Sequence, residues 1–130
     1  MKRKTRLGLV SCGVLLLAVY FGAIPRATYW SALAHFYLNK RTYETTAQSM
    51  LAAQNEVDRQ RICGEKCWLL SSDQVAFHYS HGFLSWDDII YDPSGKVLTI
   101  NSWEERRQLN TYFISAEHLT GHWYLGHFGD

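Results

Sequence analysis

The sequence predicts an α+β protein: an N-terminal transmembrane helix, then a long helix packed on a four- to five-stranded antiparallel sheet. Three observations carry this. An uncharged apolar run opens at Leu7 and ends at Ile24, behind Lys2, Arg3, Lys4 and Arg6. No Gly or Pro interrupts residues 27–60, which are rich in helix formers. Beyond Cys67 the apolar period changes from near 3.6 to two, with Gly-containing turn signals between the runs.

The apolar run spans 18 residues. As a helix it is about 27 Å long, close to the hydrocarbon thickness of a bilayer. It lacks the polar stripe of a buried core helix. The basic residues before it place the N-terminus in the cytoplasm and the remaining residues outside, in the periplasm or extracellular space. Small residues at the positions that signal peptidase needs are poorly placed after the run, so the reading is an uncleaved signal anchor over residues 1–26. Residues 27–130 then form one extracytoplasmic domain on a single-pass protein of the cell inner or plasma membrane.

Residues 27–60 carry an apolar stripe at Trp30, Leu33, Phe36, Tyr37, Ala47, Met50 and Leu51. This predicts a long helix that leaves the membrane and lays the stripe on a sheet. Tyr29, Trp30, Phe36 and Tyr37 also suit the interfacial aromatic belt. Cys63 and Cys67 follow, while Cys12 lies inside the apolar run. In an oxidising compartment the close pair is read as a disulfide closing a short loop. Redox enzymes place two residues between such cysteines, not three, and no second pair completes a zinc site.

Val75, Phe77 and Tyr79 alternate with Ala76, His78 and Ser80, which marks a strand. Residues 86–91 and 96–100 flank Asp92-Pro93-Ser94-Gly95, predicting a hairpin with Tyr91 against Val97 and Ile90 against Leu98. Ser102 and Glu105 form a capping box opening a short helix to about Leu109. Residues 111–118 and 122–128 predict a second hairpin turning at Thr120-Gly121. Its register sets His118 against Trp123, Ala116 against Leu125 and Ile114 against His127. Tyr112, Ile114, Ala116, Trp123 and Leu125 would then share one face.

Charge excludes one class of partner. The first 26 residues hold five basic and no acidic residues, leaving eight basic against twelve acidic in residues 27–130, a net charge of −4. Such a domain is a poor match for nucleic acid. Five histidines, His78, His81, His118, His122 and His127, raise a metal reading. On continuous strands His78 and His81 face opposite ways, as do His122 and His127. His118 and His127 share a face but lie roughly 9 to 10 Å apart along the strand, too far to converge on one ion. Asp87 and Asp88 are adjacent, so they point to opposite faces and read as a solvated edge rather than a catalytic pair. No Gly-x-Ser-x-Gly elbow or phosphate loop is present.

The start of the chain resembles that of type IV pilins and pseudopilins. Residues 1–8, ending at Gly8, look like a basic leader, and Ala23-Ile24-Pro25 looks like the family's later signature. Gly13 stands where the family usually has Glu, and the proline comes early. The resemblance implies a subunit of a secretion or pilus system, and a metal-dependent enzyme is a further alternative. The reading that fits the whole chain is a non-catalytic, membrane-anchored binding or accessory subunit of an envelope complex. It is held by lipid through the run from Leu7 to Ile24, needs no cofactor and contacts a protein partner. Trp86 and Trp103, at element edges, and the acidic pair Asp87 and Asp88 are the candidate contacts.

Overall fold

The computed structural model describes residues 12–17, 26–100 and 102–130. The chain divides into two compact units, residues 1–31 and 32–130, and the sheet belongs to the second. Within the apolar run only residues 12–17 are described, and they are helical. The rest of the anchor reading lies outside the described residues, among which no helix is long and apolar enough to cross a membrane.

The fold is α+β, with one antiparallel sheet of five strands among the described residues. In chain order the elements are α1 (Ala27–Leu38), α2 (Lys40–Ala52), α3 (Glu56–Cys63), a 3-10 turn (Gly64–Lys66), β1 (Cys67–Ser71), β2 (Gln74–His81), β3 (Ser85–Tyr91), α4 (Lys96–Thr99), α5 (Trp103–Leu109), β4 (Phe113–Thr120) and β5 (Trp123–Gly129). The strand order β1-β2-β3-β5-β4 places β3 at the centre.

The expected single long helix is three. Asn39 ends α1, its side-chain amide donating to the His35 carbonyl at 2.9 Å. Ala53 turns extended, and the Asn55 side chain accepts from the Asp58 backbone to start α3. An Asn oxygen caps a new helix better than it serves a helix interior. The capping box at Ser102 and Glu105 forms as the sequence predicts and opens α5.

Both faces of the sheet are covered. On one, Phe36 packs on Trp123 at 4.9 Å and Tyr43 on Phe77 at 5.0 Å between ring centroids. Ile89 and Leu125, paired across β3 and β5, are fully buried. On the other face Leu70, Ala76, Ile90, Val97, Phe113, Tyr124 and Phe128 form a second core. Gly126 makes room there: a Cβ at this position would force the Ile90 and Phe128 side chains to shift.

Two register expectations are corrected. Residues 96–99 form α4 instead of pairing with β3, which pairs with β2 and β5. The cause is Asp92, whose carboxylate accepts from the Ser94 and Val97 backbone and curls the chain into a helical turn. In the last hairpin Thr120 pairs with Trp123, so the turn is Gly121-His122, with Gly121 at φ 54°. His118 therefore opposes Tyr124, Ala116 opposes Gly126 and Ser115 opposes His127. Two bulges in β4 absorb the slip.

The Cys63–Cys67 disulfide is present, with Cα atoms 5.8 Å apart. It joins the end of α3 to the start of β1. Loop-closure entropy for so short a ring gives about 2 kcal/mol. Replacing both cysteines with Ala should lower the unfolding free energy by about that amount, read from the urea midpoint and slope together; an unmoved unfolding free energy would show that the link holds nothing that packing does not.

Candidate functional site

The central strand sorts the candidate residues. Alternation along β3 sends Asp87 to the face covered by α1 and α2, and Trp86 and Asp88 to the other. The opposite-facing expectation for the two aspartates holds, but the solvated edge does not, because β3 lies in the middle of the sheet.

Asp88 is completely buried. Its carboxylate accepts from Trp68 Nε1 at 3.0 Å and is bonded to Nδ1 of His78, its register partner, at 2.9 Å. These partners offset the cost of taking a carboxylate out of water. Asp87 is bonded to Nδ1 of His127, opposite it on β5, at 2.6 Å, and accepts from Ser80 Oγ on β2 at 3.2 Å. His127 Nε2 continues to Glu117 on β4 at 3.2 Å. The sheet thus holds a histidine–carboxylate pair on each face. His78, fixed through Nδ1, has the orientation of a general base, but no hydroxyl or thiol among the described residues is bonded to its Nε2.

The other histidines depart from expectation. The bulge between His78 and Ser80 puts His78 and His81 on the same side, with rings 5.5 Å apart. His118 and His127 do not share a face. His118 packs on Tyr124 and its Nε2 meets the Gly121 carbonyl at 2.9 Å. Among the described residues no group of three or more His, Cys, Asp or Glu side chains could hold a metal ion.

Trp86 is partly buried, stacking on Phe128 at 5.5 Å with a 6° angle against the second core. Trp103 alone of the four candidates is well exposed, at 63%. Arg107, one turn along α5, lies over its ring at 4.6 Å.

A larger feature lies at one end of the sheet. The turn between β2 and β3 is Gly82-Phe83-Leu84, with Phe83 99% and Leu84 59% exposed. Gly82 N–H donates to the Ser85 carbonyl at 2.6 Å and Asp130 N–H to the Leu84 carbonyl at 3.1 Å, which fixes the tip. The Ile114 side chain and the Leu84 backbone carbonyl both lie beside Gly129. Tyr112, packed on Trp86, and Ile114 are also exposed, so this end of the sheet is apolar. Two large apolar residues where turn chemistry favours polar ones are the signal that was there to read.

No protein-family model matches the chain, and no curated protein or solved structure is detectably similar to it.

Proposed function

We propose that the protein is a membrane-anchored, extracytoplasmic binding module, a non-catalytic accessory subunit of an envelope complex. The uncharged run from Leu7 to Ile24 behind its basic residues supports the anchor, with the N-terminus in the cytoplasm. Tethering confines the domain to two dimensions and raises its effective concentration near membrane-bound partners. The carrying observation is the apolar end of the sheet, where Phe83 stands almost entirely in solvent. Exposed apolar surface marks interaction sites, and a hydrogen-bonded turn backbone loses little entropy on docking. The Trp103 and Arg107 pair on α5 is a second contact, since these residue types dominate binding hot spots. The histidine–carboxylate pairs, fully buried only at Asp88, are structural in this reading: each carboxylate is held by the histidine opposite it in the sheet.

Photo-cross-linking in cells tests this. A benzoyl-phenylalanine at position 83 should give one discrete protein adduct, lost when Ile114 is replaced by Asp. The same group at Thr45, exposed on α2, should give none. Absence of protein adducts from both 83 and 103 overturns the binding role. Recovery of the full chain in the soluble fraction overturns the anchor. A pilin-type leader would instead leave a mature N-terminus at Leu9, which N-terminal sequencing reads directly.

A further inference from the structure

We propose that the groove between α2, α3 and β2 binds a small apolar molecule carrying a single carboxylate. The groove has a volume of about 480 Å³, within the range of roughly 300–1,000 Å³ typical of small-ligand sites. Its floor is apolar: Tyr43 and Phe77, both buried and in edge contact, with Ile62 beside them. Burial, and then the neighbouring Tyr79, pushes the Tyr43 phenol up to about 12, as expected for a poorly hydrated floor.

The rim has the opposite character. Arg61, Lys66 and His35 line the groove, and no Asp or Glu does. This contrasts with residues 27–130, where twelve acidic residues outnumber eight basic ones. Arg61 is 78% exposed and reaches Asp58 only at 4.0 Å, a weak pair that a ligand can displace. Lys66 makes no ion pair among the described residues. An apolar floor under two cations fits an aryl or acyl body with an anionic head, which charge-assisted hydrogen bonds would hold. Cys63 forms part of the wall, so the disulfide to Cys67 keeps that wall in place. The groove shares no residue with the apolar sheet end, so either assignment can fail without the other.

The test uses the full chain in lipid nanodiscs, with empty nanodiscs as the blank. Naphthoate, naphthalenemethanol and naphthylmethylammonium share one apolar body and differ in charge. Calorimetry should show naphthoate binding about tenfold more tightly than the alcohol, the scale of one charge-assisted contact, with the ammonium weakest. Arg61→Ala with Lys66→Ala, both exposed, should bring naphthoate down to the alcohol's affinity and leave the alcohol unchanged. Equal binding of all three probes, binding no better than the blank, or an unchanged ratio in the double variant overturns the proposal. Decanoate and indole acetate, competed against naphthoate, separate an acyl from an aryl source. Displacement by either supports the site, and displacement by neither overturns it.

Discussion

Phe128→Ala is expected to lose about 3–5 kcal/mol of stability, the range for emptying a buried aromatic site. Phe128 is fully buried at the middle of the second core. Its ring meets Trp86, Phe113 and Trp68 at 5.5, 5.5 and 5.8 Å, so it joins β1, β3, β4 and β5. Rigid rings cannot close over the space that the truncation leaves, which puts the cost in the upper part of the range. Urea unfolding should show a lower midpoint at constant slope. Phe83→Ala is the control: its side chain is 99% exposed, so the change should stay within about 0.5 kcal/mol. A shift for Phe128→Ala no larger than the control's would mean that this face of the sheet is not a packed core.

Asp92→Ala is expected to cost about 3 kcal/mol, because it leaves buried donors without an acceptor. The Asp92 carboxylate is buried. It accepts from Ser94 N–H at 3.0 Å, Ser94 Oγ at 2.5 Å and Val97 N–H at 3.0 Å. Its own N–H donates to the His122 carbonyl at 2.9 Å, tying this turn to the β4–β5 turn. Burial alone would raise the Asp92 pKa; the bonds from Ser94, Val97 and Gln74 together outweigh it and hold the group below its ordinary 3.8. The folded value is thus depressed relative to the unfolded one. The stabilisation is complete above the ordinary carboxylate range and is lost as pH falls through the folded value. Wild type and Asp92→Asn should therefore differ at neutral pH and converge on acidification. A gap independent of pH between neutrality and about pH 3 would remove the carboxylate's charge from the explanation.

Several features were legible because they depend on neighbours in the chain. The capping box at Ser102 and Glu105 spans three residues, and its geometry is local. The Cys63–Cys67 link closes so short a loop that the two sulfurs are never far apart. Strand alternation correctly put Asp87 and Asp88 on opposite faces. The hairpin across Asp92-Pro93-Ser94-Gly95 was misread. A side chain that binds its own following backbone competes with strand pairing, and only the energy of the whole turn decides between them.

By itself the sequence determined the α+β class, the antiparallel sheet, the disulfide and the opposite faces of Asp87 and Asp88. All of these follow from periodicity or short separation along the chain. It did not determine the faces of His81, Ala116 and His118, which bulges in β2 and β4 reset. Only the tertiary structure decided that β3 is central, that Asp88 meets Trp68 and His78, and that Asp87 meets His127. The same holds for the exposure of Phe83 and for the basic rim over the Tyr43 floor. The physical reason is that alternation names a residue's face but not the strand beside it. That choice rests on long-range packing of both faces at once, to which a one-residue bulge is enough to redirect a side chain.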